Sequence, residues 1–180
     1  MAILHPLNFK KWIDENRHLL KPPVGNKVVY ENTEFIVMVV GGPNSRKDFH
    51  YNESEEFFYQ LEGDIVVKIQ DEGQAVNVPI KEGEIFLLPP KVPHNPQRGP
   101  NTIGLVMERK RRETEKDGLL WFCEKCNNKL FEKYFALTNI MTQFQATFAE
   151  FYGSEQLRTC NKCGYVMQPP VLPTVKEDTH

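Results

Sequence analysis

Between Lys27 and Glu108 the chain alternates apolar and polar residues in short runs, each closed by Gly, Pro, Asn or Asp. The runs at 27–31, 34–40, 56–61, 64–70, 75–80, 84–88 and 102–108 are rich in Val, Ile and Phe. Period-two alternation sends one face of each run into a core, and no helical stretch separates them to carry parallel crossovers. The pattern predicts an antiparallel β-sandwich or barrel. Ahead of it, Asn8 can cap a short helix with Phe9, Trp12 and Ile13 on one face, stopped by Lys21-Pro22-Pro23. Behind it, 119–123 and 129–137 read as two more strands. Ile140, Phe144, Phe148 and Phe151 then recur on one face of a helix. Residues 110–118 are charged and apolar-poor, which predicts a linker or solvated loop. The expected organisation is a β domain over 1–110, a small extension over 111–168 and a flexible tail over 169–180.

Composition narrows the class. A chain of 180 residues is one domain of ordinary size with room for a small appended module. With 22 basic against 24 acidic residues, no basic excess draws it to nucleic acid. The longest clearly apolar run, Phe35 to Val40, is too short to span a bilayer, and no secretory leader is evident. The expected setting is the cytoplasm, without membrane or nucleic-acid partners. All four cysteines fall in two pairs, Cys123-Glu-Lys-Cys126 and Cys160-Asn-Lys-Cys163. Two C-x-x-C pairs fit a closed four-thiolate site for iron or zinc better than they fit disulfides.

The candidate chemistry lies in His50, Glu56 and His94, held in two blocks bracketed by Gly and Pro. Two imidazoles and one carboxylate leave coordination positions open, as in non-haem Fe(II) oxygenases. Asn52 stands two residues beyond His50, where alternation aims a side chain into the same space. Because Asn52 is not a histidine that would make a fourth ligand, the ion is expected to stay under-coordinated. In the cysteine pairs, Gly164 follows Cys163 and Asn127 follows Cys126, both types that tolerate a left-handed backbone.

These blocks resemble the two motifs of the cupin superfamily. His50, Glu56 and Gly63 meet the first, with Asn52 in place of its second histidine. Gly83, Pro89 and His94 meet the second, with Lys91 in place of a glycine and Arg98 in place of an asparagine. The stretches at 19–26, 39–44, 55–60, 86–90 and 94–98, the strand ending at Glu108 and the cysteine pairs are more closely similar to 3-hydroxyanthranilate 3,4-dioxygenases of the short, single-cupin type. The resemblance implies a mainly β fold: a cupin jelly roll with a four-cysteine, rubredoxin-like extension and few helices. It implies Fe(II) on His50, Glu56 and His94, and a structural iron or zinc on Cys123, Cys126, Cys160 and Cys163. It also implies ring opening of 3-hydroxyanthranilate by dioxygen to 2-amino-3-carboxymuconate semialdehyde, the precursor of quinolinate in NAD biosynthesis. In that scheme Arg98 grips the substrate carboxylate and Glu108 shares a hydrogen bond at the same end. Arg46 faces the dioxygen side, Glu56 also takes a substrate proton, and Asn26 and Asp48 support the loop carrying Arg46. A homodimer is expected on the same basis. The rival expectations are a cupin that senses an aromatic acid and a cupin isomerase.

Overall fold

In the computed structural model, which describes residues 3–22, 25–138 and 140–171, eleven strands form two antiparallel sheets. One sheet has the order β1 (Asn26–Val28), β2 (Phe35–Gly41), β9 (Ile103–Arg109), β4 (Glu56–Glu62), β7 (Ile85–Leu88). The other runs β11 (Lys129–Phe135), β10 (Asp117–Phe122), β3 (Phe49–Tyr51), β8 (His94–Arg98), β5 (Ile65–Asp71), β6 (Gln74–Ile80). The chain crosses between the sheets after β2, β3, β4, β6, β7, β8 and β9, which is the jelly-roll way of closing a sandwich. Phe58, Ile65, Val67, Ile80, Leu88 and Val106 fill the space between the sheets. The helix α1 (Phe9–Asn16) is capped by the Asn8 side chain and lays Ile13 against Leu20, Val39 and Ile103.

Turn chemistry follows the residues. The β5–β6 hairpin turns through Glu72 and Gly73, both at positive φ, the conformation that matches strand twist. Lys91, which stands where the motif has glycine, nevertheless holds φ +66°, and its N–H donates to the Asn52 carbonyl. That bond ties the turn before His94 to the strand end after His50.

The C-terminal third adds a second core. Leu119, Trp121, Phe151 and Met167 are buried together, with Trp121 stacked on Phe151 at 4.4 Å between ring centroids. The helix α2 (Ile140–Gly153) supplies Phe144, Phe148 and Phe151 to this core; the side chain of Ile140 lies outside the described residues. A short helix, α3 (Glu155–Arg158), leads into the second cysteine pair. Most of the expected tail, from residue 172 onward, also lies outside the described residues.

One expectation needs correction. Residues 110–118 are not simply a solvated loop. Asp117 and Gly118 open β10, Asp117 is fully buried, and the Arg111 side chain is only 9% exposed. Arg111 is pulled inward by two carboxylates, Asp117 and Glu108, which offset the desolvation of its charge. Through β10 and β11 the sheet continues past residue 110: β10 pairs with β3 on one side and with β11 on the other.

Candidate metal centre

The site is built by register. On the six-stranded sheet His50 of β3 lies directly across from His94 of β8, with Leu119 of β10 on its other side. On the facing sheet Glu56 of β4 lies across from Glu108 of β9. Glu56 and the two histidines are buried, and one ligand atom from each lies within 4.8 Å of the others. His94 Nε2 and Glu56 Oε2 are 3.1 Å apart. Two donors at right angles on an ion, each about 2.1 Å from it, would stand about 3.0 Å apart, so the spacing fits a shared metal. Neutral imidazoles with one carboxylate suit a divalent iron-type ion, and the charge surplus agrees. Glu56, Glu108 and Asp117 are three buried or nearly buried carboxylates, and among the described residues Arg111 is the only guanidinium bonded directly to any of them.

The surroundings hold these groups in place. Asn52 is buried, and its amide donates to Glu56 Oε2 at 3.3 Å and to Glu108 Oε2 at 3.1 Å. It therefore occupies the space expected of it but positions carboxylates. His50 Nε2 bonds Asp117 Oδ2 at 2.7 Å, and His94 Nδ1 bonds the Val92 carbonyl at 3.0 Å. Burial works against the Glu56 carboxylate, but His94 and then His50 and Arg111 outweigh it and hold its pKa below the ordinary carboxylate range. Burial likewise depresses His94, yet the charge and hydrogen bond of Glu56 carry it above the ordinary value. Glu108 is raised by burial and by the nearby Glu56 charge, against the pull of Arg111.

Arg98 is buried at the end of β8 and donates through Nη1 to Gln60 Oε1 at 3.3 Å. No carboxylate contacts its guanidinium among the described residues, and burial lowers its pKa to about 10, well above neutrality. Its seat exists because residue 104 is glycine: a Cβ there would come within 2.9 Å of Arg98 Nη1 and 2.7 Å of Gln60 Oε1. Arg46 forms a two-point ion pair with the buried Asp48. Asn26, by contrast, is exposed on the edge strand β1, and among the described residues its side chain makes no hydrogen bond to Arg46 or Asp48. Asp48 therefore holds the Arg46 side chain directly, and Asn26 stands apart from that pair. Sequence reading missed Gln60, Gly104, Arg111 and Asp117, because no motif marks them and each acts across strands.

A second cluster is closed. The sulfurs of Cys123, Cys126, Cys160 and Cys163 lie within 4.8 Å of one another, with Cys123–Cys163 and Cys126–Cys160 at 3.6 Å. A tetrahedral shell with metal–sulfur bonds of about 2.3 Å has edges of about 3.8 Å. Asn127 and Gly164 adopt the left-handed backbone expected of them, with φ +56° and +73°. Against burial, the backbone N–H groups of Cys163 and Lys162 lower the Cys160 thiol towards a thiolate, while burial and the neighbouring sulfurs push the Cys126 thiol up.

A jelly roll that gathers two histidines and a glutamate between its sheets has the fold and donor set of a metal-binding cupin. A model of the 3-hydroxyanthranilic acid dioxygenase family matches residues 1–152. A 3-hydroxyanthranilate 3,4-dioxygenase of Xanthomonas euvesicatoria pv. vesicatoria (strain 85-10) is 54% identical over 176 residues, 98% of this chain and 99% of its own. The enzymes of the same name from Jannaschia sp. (strain CCS1) and Bacillus cereus (strain ATCC 10987 / NRS 248) are 52% and 46% identical, covering 94% and 93% of this chain and 97% and 94% of theirs. The chain belongs to the 3-hydroxyanthranilic acid dioxygenase family.

Proposed function

We propose that the chain is an Fe(II)-dependent dioxygenase that opens the ring of 3-hydroxyanthranilate with dioxygen, giving 2-amino-3-carboxymuconate semialdehyde, the precursor of quinolinate. The observation that carries this reading is the pairing of a three-donor centre with a buried guanidinium, Arg98, that contacts no carboxylate among the described residues. His50, Glu56 and His94 hold the ion, which when bound supplies a template that brings an aminophenol and dioxygen side by side.

The other residues bind, orient and hold protons. Arg98 accepts the substrate carboxylate in a two-point bond that its planar fork favours, and the buried setting makes that bond strong. Glu108, held by Asn52 and Arg111, offers an oxygen at the substrate's polar end; its raised pKa favours sharing a proton there. Glu56, an ionised carboxylate within the donor set, can receive the proton that the substrate hydroxyl gives up. Arg46, fixed by Asp48, supplies positive charge on the dioxygen side, where negative charge develops. The four cysteines hold a structural iron or zinc. We place the reaction in the cytoplasm. We also infer a homodimer, supported by Phe35, Ile85 and Leu87, which are 55%, 66% and 53% exposed on the five-stranded sheet.

The test is anaerobic loading with Fe(II), then addition of 3-hydroxyanthranilate and air, following oxygen uptake and product absorbance. One dioxygen consumed per substrate, with the ring-opened product, supports the proposal. Substrate binding without oxygen uptake would make the chain a sensor, and turnover without oxygen would make it an isomerase.

A further inference from the structure

The two histidines of the centre are held through opposite ring nitrogens. His94 Nδ1 lies 3.0 Å from the Val92 carbonyl, which can only accept, so Nδ1 carries a proton and Nε2 is the nitrogen open to an ion. His50 is reversed. Its Nε2 lies 2.7 Å from Asp117 Oδ2. Asp117 is fully buried, and Arg111 binds both of its oxygens, Nε to Oδ1 at 2.8 Å and Nη2 to Oδ2 at 2.7 Å. A carboxylate so clamped stays ionised and can only accept. A neutral His50, the form that can bind a metal, then carries its proton on Nε2, and Nδ1 is the nitrogen left for an ion.

We propose that Asp117 and Arg111 are positioning residues of the metal centre, locking His50 so that it binds the ion through Nδ1 while His94 binds through Nε2. The inference rests on the assignment of His50, Glu56 and His94 as metal ligands. Its reach is wider than one histidine. Arg111 Nη1 also holds Glu108 at 2.7 Å, Glu108 accepts from Asn52, and Asn52 donates to Glu56. The contacts run His50–Asp117–Arg111–Glu108–Asn52–Glu56–His94, and the strand register places His94 back beside His50. Arg111 is the one member that bonds the supports of both sheets, so it aligns the imidazole of one wall with the carboxylate of the other. Such outer partners set the tautomer of a ligating imidazole and typically change metal affinity about 10- to 100-fold.

The direct test is long-range ¹H–¹⁵N correlation on chain carrying ¹⁵N-histidine. The four-cysteine site is filled with one equivalent of zinc, and a second equivalent serves as a diamagnetic probe of the histidine site. The expected spectrum has His50 protonated at Nε2 and metal-shifted at Nδ1, with His94 the reverse; His50→Gln and His94→Gln variants assign the signals. Both rings metal-shifted at Nε2 would overturn the proposal while leaving the ligand set intact. Neither ring responding to the second equivalent would overturn the ligand assignment, and this inference with it. In Asp117→Asn the amide can also present N–H to the ring, so Nε2 protonation is no longer enforced. Zinc affinity at the histidine site should then fall about 10- to 100-fold with the cysteine-bound equivalent retained. Unchanged affinity and an unchanged His50 spectrum in that variant would overturn the role of Asp117. The wild-type spectrum decides the tautomer even if the variant does not fold.

Discussion

At the scale of single residues, charge and its partners decide the behaviour of the site. Arg98 is desolvated, and among the described residues its guanidinium is bonded to an amide oxygen and contacts no carboxylate. Arg98→Ala removes the group that would receive a substrate carboxylate and touches no metal-holding side chain. It should lower kcat/KM by roughly 30-fold or more, in line with the 2–5 kcal/mol typical of a buried charge-assisted pair. Metal content by elemental analysis should stay near that of the unmodified chain; a parallel loss of metal would assign Arg98 to the integrity of the fold. Lys91 presents the opposite case, a side chain where glycine is favoured. Its φ of +66° is strained for an L-residue, and its amine is mostly exposed near Glu53. Lys91→Gly should raise stability to urea by up to about 1 kcal/mol, since relief of strain competes with the greater freedom of an unfolded glycine. A loss of stability would mean that the Lys91 stem packs usefully on the turn. The metal-holding residues were legible in the sequence because their spacing is local to two motifs. Asp117 was not, being 67 positions from His50 and marked only by the fold.

At the scale of elements, length decided what could be read. The longer strands announced themselves by alternation, whereas β3 has only three residues, fewer than a period-two pattern needs to declare itself. It is nevertheless the strand that carries His50, and it forms only because β10 and β8 pair with it on both sides. β8, with Pro96 in its middle, was legible only through His94 at its start. The segment between β9 and β10 misled for a physical reason: its charges looked like solvent-facing ones, and only pairing across strands showed that Arg111 and Asp117 are inside. Its shape is held by Glu115, which accepts from both Nη atoms of Arg109 and from the Arg112 N–H. The Arg109 hydrogen bonds hold the Glu115 pKa down at about 2. A carboxyl depressed in the folded chain contributes stability in full above about pH 4.5, and that contribution fades as pH falls towards 2. Glu115→Gln should therefore melt below the unmodified chain at pH 7, and the two Tm values should converge between about pH 4.5 and 2. The gap should also narrow in high salt, since the pair lies near the surface. A gap independent of pH would mean that Glu115 acts through its shape alone.

At the scale of the whole molecule, the question is whether the cysteine cluster is an attachment or a part of the centre. The chain order makes it a part. β10 begins at Asp117, which holds His50, and its six residues end immediately before Cys123. Trp121 packs this strand onto Phe151 of α2, and Phe144 of the same helix sits 5.5 Å from the His50 ring. Asn127, in the first cysteine loop, exchanges two amide hydrogen bonds of 2.9 Å with Gln70 of β5. The loop is thereby fastened to the sheet that carries both histidines. Four thiolates without an open position bring no reactant into contact, so the effect of a metal there has to travel through β10. Cys160→Ser should lose the cysteine-bound metal and lower Tm. It should also speed hydrogen exchange along β10 and β11, and leave less iron on His50, Glu56 and His94 at a fixed free Fe(II) concentration. The coupling makes the two losses appear together, although no side chain of the histidine site has been altered. Full iron occupancy with unchanged exchange along β10 would instead show that the cysteine loops fold as a separate unit. The sheet alone would then suffice to hold Asp117 against His50.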